Sequence, residues 1–448
     1  MSDALQWGGR FTAPPDRALL AFGSSLEEDL VLAPFDVRCS QAHVRALAGG
    51  GVITADQAAE LQAALETVAS EIREGSFAAF ARGSGAEDIH GAIDARVREL
   101  AVTSGEVLHA GRSRNDQVAT TLLLYCADRA ARGKALALQI AAQLSYLAEE
   151  ELEAGTLVAA TTHWQPAQPV LLAFWLAAAA EPFVRDARRF AGAERDVLAS
   201  CPLGSAAVAG SSLPLDRQTA AAELRFVSPS RNAMDAVGNR DGALDTAHAF
   251  VRSLLNASRI CGEIVIWCTP NFGYVRLGDE AATGSSLMPQ KHNPDPFELV
   301  RAVSAAACGQ FAGALGTLSG TALSYHRDLQ ITKAAVLAIV EQSLTALHAF
   351  SRAFPHVHFN RGRMTALAAE GYTVATDVAD ALIAQGSTAR QAHATVGSAI
   401  RSHERDGTAL NWPDAGASVQ SKVTPGSTNP HAVRESLHSL RASIEAAR

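Results

Sequence analysis

The sequence predicts an all-α fold, on three observations. Alanine and leucine dominate a hydrophobic fraction of 48%, while aromatics make up only 6%, a bias that favours helices over sheets. Apolar residues recur at steps of three and four along most of the chain. No succession of short alternating strands, the mark of a parallel α/β sheet, interrupts them. At 448 residues the chain is long enough for a large buried core and more than one domain.

Taken in order, the first clear helix follows Thr54 and Gln57, which stand as a capping box. Leu61, Leu65, Val68 and Ile72 follow at helical spacing, and Gly75 closes the segment. A longer helix starts near Leu244. Ala247, Val251, Leu254, Ser258, Cys261, Val265 and Cys268 continue its seam, giving roughly 25 residues or about 38 Å. Small residues on that seam suit close packing in a bundle, including against copies of the chain. Three irregular polar stretches separate the helices: His109–Gln117, Thr161–Pro169 and Thr283–Pro296. Loops carried on a rigid scaffold are where chemistry tends to sit.

The net charge of −8 comes with interspersed signs and no basic stripe, which argues against a nucleic-acid partner. An anionic substrate would need a local cluster of cations. None of the six cysteines forms a CxxC pair, and the placing of several in apolar helical stretches fits a reducing cytoplasm. The start, MSDALQWGGRF, shows no signal peptide. The longest apolar run, Val170 to Ala180, is too short to span a bilayer, so no membrane partner is expected.

The stretch from Thr283 to Glu298 reads TGSSLMPQKHNPDPFE. Gly284, Ser285 and Ser286 form a flexible loop that feeds a helix. Asn293 or Asp295 can cap that helix, and Pro294 or Pro296 suits its first position. A Ser-rich loop at a helix N-terminus, with Lys291 beside it, is a place to hold an anion. A serine there loses its proton more easily. In Thr161–Pro169, His163 titrates near neutral pH and suits proton transfer. In His109–Gln117, Arg112 and Arg114 offer forks for carboxylates. Taken alone, His109–Gln117 reads equally well as a polar loop packed on its neighbours, and the glycine-serine loop and His163 read more readily as ordinary structural features. No HExxH, Cys/His cluster or carboxylate set has metal-ligand spacing, so neither a metal nor a cofactor is expected.

Together the three stretches resemble the fumarase/aspartase superfamily. Its most specific signature, GSS-x-MP-x-K-x-N, is met by Gly284, Ser285, Ser286, Met288, Pro289, Lys291 and Asn293. Gly111–Gln117 (GRSRNDQ) is similar to the first block of the argininosuccinate lyase/δ-crystallin branch. Further similar segments are Gly8–Phe11, Glu87–His90, Asn232–Val237 and Tyr325–Gln330, so the resemblance covers nearly the whole chain.

The resemblance implies an elongated subunit with a central long-helix bundle, divided at 1–112, 113–363 and 364–448. It implies a homotetramer whose active sites are shared between subunits. The implied reaction is a reversible β-elimination of argininosuccinate to arginine and fumarate. Ser285 would be the base and His163, oriented by Glu298, would support proton transfer to the leaving nitrogen. Lys291 and Asn293 would hold the dianion. Asn115 and Thr162 would contact the succinyl part. Arg114, Arg240, Tyr325, Gln330 and Lys333 would complete the substrate pocket, together with Ser25.

Several positions depart from the branch pattern. Ile93-Asp94 stands where an Asn-Glu pair is usual. Trp164 and Pro166 replace the commoner Leu and Arg, and His292 follows Lys291 in place of a lysine. Gly204–Gly210 is a variant of a more glycine-rich block. None removes a proposed catalytic group. They leave room for a related carbon–nitrogen lyase acting on another N-substituted aspartate. A non-catalytic, crystallin-like protein is the alternative of a different class, and the full set Ser285, His163, Lys291 and Glu298 argues against it. A class II fumarase fits less well on the first block. A serine hydrolase fits poorly, since no G-x-S-x-G occurs.

Overall fold

The computed structural model describes residues 16–448. The Gly8–Phe11 segment lies outside them. The chain forms two compact units. One comprises the chain up to Gly133 with Arg189–Val251 and Ala306–Gln342, and the other Lys134–Arg188, Arg252–Ala305 and Ser343–Arg448. Five long helices supply both: Arg114–Ala154, Leu172–Val197, Asp241–Trp267, Asp295–Leu318 and Asp328–Ala353. The first has 41 residues, about 62 Å of helix at 1.5 Å per residue. The expected helical fold is therefore found, with two small two-stranded sheets added.

In the first unit, helix Ala55–Glu74 carries the expected capping box between Thr54 and Gln57, and Gly75 ends it at φ 84°. Leu61, Leu65 and Val68 of that helix are fully buried. Helices Ala33–Gly49, Ile89–Leu100 and Arg114–Ala154 are tied by one buried carboxylate. Asp36 accepts from His90 Nδ1 at 2.8 Å, Gln117 Nε2 at 2.8 Å and Thr121 Oγ1 at 3.1 Å. Burial alone would raise its pKa, but His90, Arg112 and Gln117 reverse that and hold it well below the usual carboxylate range.

In the second unit, strands Leu157–Thr162 and Gln165–Leu171 form an antiparallel hairpin. Val275–Leu277 pairs with Val357–Phe359. Helices Ala375–Ala384, Ala389–Asp406 and Pro430–Ala447 end the chain.

Four local expectations are corrected. Thr161–Pro169 is not an irregular loop: it holds most of the hairpin, with a two-residue turn at His163 and Trp164. Both lie in the left-handed region, at φ 53° and 60°, as a type I′ turn demands. The turn lacks the Asn-Gly signature that would have shown it. Arg114–Gln117 is the first turn of a long helix rather than loop. Asp295 is the first residue of its helix rather than the cap: its carboxylate accepts from Thr283 Oγ1, and the Glu298 N–H donates to the Pro294 carbonyl. Finally, Leu244, Ala247, Val251, Leu254 and Cys261 are buried within the chain itself, so that part of the seam is covered by its own chain, while Ser258, Val265 and Cys268 stay half-buried.

Two helices, Asp295–Leu318 and Asp328–His356, are long and apolar enough to cross a membrane by length and composition. The Val170–Ala180 run had not revealed them. Only 22% of the first helix's most apolar window is buried. Leu299, Leu315, Leu323 and Ile331 are exposed on or beside these helices. All six cysteines are free, and four of them are buried.

Candidate active site

The expected site residues fall into one cluster in the first unit and two exposed segments in the second. The cluster is built on Lys333, on helix Asp328–Ala353. Its ammonium forms an ion pair with Asp29 Oδ1 at 2.5 Å and donates to Ser25 Oγ at 3.2 Å. Ser25 in turn donates to the other Asp29 oxygen at 2.7 Å. Asp29, Ser25 and Lys333 are all buried. Gln330, one helical turn before Lys333, donates from Nε2 to the Gly23 carbonyl at 3.1 Å.

Arg240 is almost wholly buried. One edge of its guanidinium is used: Nη1 donates to the carbonyls of Val237 and Asn239 at 3.2 and 2.7 Å. The opposite edge, Nε and Nη2, has no partner. Two adjacent N–H donors in a buried planar fork match a carboxylate. Burial lowers the Arg240 pKa to about 10, against the opposing influence of Tyr325, so the group stays cationic near neutrality. Tyr325 follows Ser324, which lies at φ 79°. That loop presses on Gly238, where a Cβ would come within 2.5 Å of the Ser324 carbonyl oxygen. Only glycine admits this approach.

Arg114 and Asn115 open the 41-residue helix. Arg114 pairs with Asp88 at 3.1 Å and donates to Gln117 Oε1 at 3.0 Å. Asn115 Nδ2 donates to the Ala207 carbonyl at 2.9 Å. Asp116 locks the helix start to the Gly204–Gly210 loop. Its carboxylate accepts from the N–H groups of Ser113, Gly204 and Ala206 at 3.0, 2.9 and 2.8 Å. Burial raises its pKa to about 6 in spite of these bonds.

In the second unit, Thr162 and His163 sit at the exposed hairpin tip. The 284–292 loop is closed at its neck by paired backbone hydrogen bonds between Thr283 and Asn293, at 3.1 and 2.8 Å. Asn293 Nδ2 also donates to the Gly284 carbonyl at 3.3 Å. Ser285 Oγ accepts from the N–H groups of Leu287 and Met288 at 3.3 and 3.1 Å. Two donors aimed at that oxygen favour its ionised form. Lys291 and Glu298 are exposed. Among the described residues, neither His163 nor Glu298 has a side-chain partner, so the expected His163–Glu298 pair does not form within the chain.

Asp29, Asp88 and Asp116 are functional candidates that sequence reasoning missed. Asp29 lies four residues after Ser25, a helical contact spacing that could have flagged it. Asp88 and Asp116 were part of quoted motifs but carried no role. Among the described residues no group of three His, Cys, Asp or Glu side chains could hold a metal ion.

Comparison with known proteins sets this geometry in a family. A family model described as a lyase matches residues 9–309. A second, described as argininosuccinate lyase C-terminal, matches residues 372–422. The argininosuccinate lyase of Mycobacterium leprae (strain Br4923) is 40% identical over 422 residues, covering 94% of this chain and 88% of that protein. That of Frankia casuarinae is 38% identical over 462 residues and covers 98% of each. Among solved structures, EDDS lyase in complex with formate superimposes with a TM-score of 0.77. It shares 24% identity over 97% of this chain and 94% of its own. Class II fumarase from Schistosoma mansoni gives a TM-score of 0.68 at 15% identity, covering 81% and 86%. These two likenesses establish the fold.

Proposed function

The chain belongs to the argininosuccinate lyase family of the fumarase/aspartase superfamily, and from that premise we propose how its residues perform the cleavage of L-argininosuccinate to L-arginine and fumarate. The single structural observation behind the reading is the unpartnered Nε/Nη2 edge of buried Arg240. It offers a carboxylate clamp in the same unit as Lys333. A dicarboxylate substrate needs such fixed cations in a protein of net charge −8.

In this reading Ser285 removes a proton from the succinyl carbon beside a carboxylate. The electron pair collects on that carboxylate as a dianion, which Lys291 and Asn293 hold. It then returns to form the carbon–carbon double bond of fumarate as the carbon–nitrogen bond breaks. His163, oriented by Glu298, supports proton delivery to the departing guanidino nitrogen. Thr162 and Asn115 hold the succinyl part. Ser25, Arg114, Arg240, Tyr325, Gln330 and Lys333 surround the carboxylates and the amino-acid end. A positioned acid or base contributes about 10²–10⁴ in rate.

The exposed state of His163, Lys291 and Glu298, with Ser285 half-buried on its loop between Gly284 and Ser286, which are exposed, supports a site completed by other copies of the chain. So does the scant burial of helix Asp295–Leu318, an apolar surface that needs a cover. We infer a homotetramer with central helices bundled and each site drawing on three subunits. Segments 1–112, 113–363 and 364–448 are its proposed domains. Arginine biosynthesis in the cytoplasm is the proposed setting.

The test is a substrate comparison with the purified protein. Argininosuccinate should be cleaved much faster than adenylosuccinate, malate or aspartate. Faster turnover of any of those three would refute the assignment.

A further inference from the structure

The second unit contains a cleft of about 830 Å³, within the size range of small-molecule sites. It lies between the second hairpin strand, helix Ala375–Ala384, helix Ala415–Ser421 and the turn that follows. Its walls are tied together. Gln168 Nε2 donates to Thr376 Oγ1 at 2.9 Å, and the Leu171 N–H donates to Thr428 Oγ1 at 2.8 Å. None of the thirteen residues expected at the active site lines it.

The lining combines an apolar wall with unequal charges. Val170, Phe174 and Ala381 supply apolar surface. Asp377 is fully engaged by Lys422, by Ser418 Oγ at 2.6 Å and by Ser421 Oγ at 3.3 Å. Asp380, one turn further along the same helix, has no ion pair or hydrogen bond among the described residues. Asp377 and Lys422 cancel, so the cleft carries one uncompensated negative charge. Lys422, with three donor protons, retains capacity for an anionic group. Ser427 Oγ is buried and unpartnered.

We propose that this cleft is a second binding site for arginine, the cationic product of the reaction, separate from the catalytic site. The inference rests on the proposed function for the identity of that product. Arginine carries one net positive charge, which the cleft's single free carboxylate balances. Its guanidinium matches the Asp380 carboxylate as a two-pronged donor and stacks on an aromatic ring such as Phe174. Its methylene stem suits Val170 and Ala381. Its carboxylate suits Lys422 and Ser427. Argininosuccinate, with two added carboxylates, is repelled by the uncompensated charge of Asp380. Helices Ala375–Ala384 and Ala415–Ser421, which form two of the walls, both lie inside the 372–422 segment matched by the family's C-terminal model.

Equilibrium dialysis of the Ser285→Ala protein with labelled L-arginine tests this, because that variant holds argininosuccinate without consuming it. At saturating argininosuccinate, one arginine per chain should remain bound. In the same background, Asp380→Asn should weaken the remaining binding at least tenfold. Ala381→Phe, which fills the cleft and leaves its charges alone, should do the same. Absence of saturable arginine binding under saturating argininosuccinate would overturn the proposal. So would binding that neither variant changes. Should argininosuccinate displace no arginine at all, the cleft stands and the catalytic-site reading fails.

Discussion

Lys333 and Asp29 form an ion pair 2.5 Å long, with side chains only 5% and 0% exposed. Removing one member of a buried pair leaves an uncompensated charge and costs about 3–5 kcal/mol. Asp29→Asn keeps the shape and removes the counter-charge. Its thermal midpoint should fall and its KM should rise. Adding Lys333→Met should recover much of the stability and none of the activity. Unchanged thermal unfolding in Asp29→Asn would show that the pair does not hold this corner together.

Ser285 Oγ is the acceptor of two backbone N–H groups, whereas Ser286 Oγ makes no such bond. Ser285→Ala should fold normally and lose at least about two orders of magnitude in kcat. Ser286→Ala should be milder. A reversed order of the two effects would place the base one residue further along.

The fold was legible where local rules act alone. The Thr54–Gln57 box, the Leu61–Val68 face and the Gly75 stop need only neighbours in sequence. The hairpin was not, because its turn uses histidine and tryptophan at positive φ in place of the Asn-Gly pair that marks such turns. The direction of the Leu244–Cys261 seam was also hidden. Periodicity shows that a helix has an apolar face and says nothing of what covers it. At the site, residue types pointed to the Ser285–Ser286 loop with Lys291 and to His163, and the family resemblance alone singled out Ser285 and implied Lys333. Partners such as Asp29 and Asp116 depend on folding, since Asp116 meets Gly204 from 88 residues away.

Asp116 gives the stability a pH dependence of known sign. Burial raises its pKa to about 6, above the value of about 3.9 in an unfolded chain. The native state therefore binds this proton more readily. Lowering the pH from 8 towards 5 shifts stability in favour of the native state through this group. Asp116→Asn cannot titrate there. The stability difference between wild type and variant should move in favour of wild type over that range, by about 1.4 kcal/mol. His109, lowered to about 4 by burial and by Arg112 and Arg114, acts in the opposite direction but is common to both proteins. Denaturant unfolding at pH 8, 6.5 and 5 measures the difference. A gap that is flat or moves the other way would exclude a raised Asp116.

The elimination described uses only side-chain acids, bases and cations. Extensive dialysis against a chelator should leave kcat and KM unchanged. A reproducible loss of activity restored by a divalent ion would require a different account of how the dianion is held.

The central claim is that Ser285, half-buried on its loop, and His163, exposed at the hairpin tip, act together in one argininosuccinate-cleaving site assembled from several copies. His163→Ala and Ser285→Ala should each be inactive alone. Denatured together and refolded as a mixture, they should form assemblies in which some sites contain both residues intact. Fumarate release from argininosuccinate should reappear in the mixture and in neither variant refolded by itself. If labelled subunits are shown to mix freely and no activity returns, the two residues do not meet across subunits and the shared-site account is wrong.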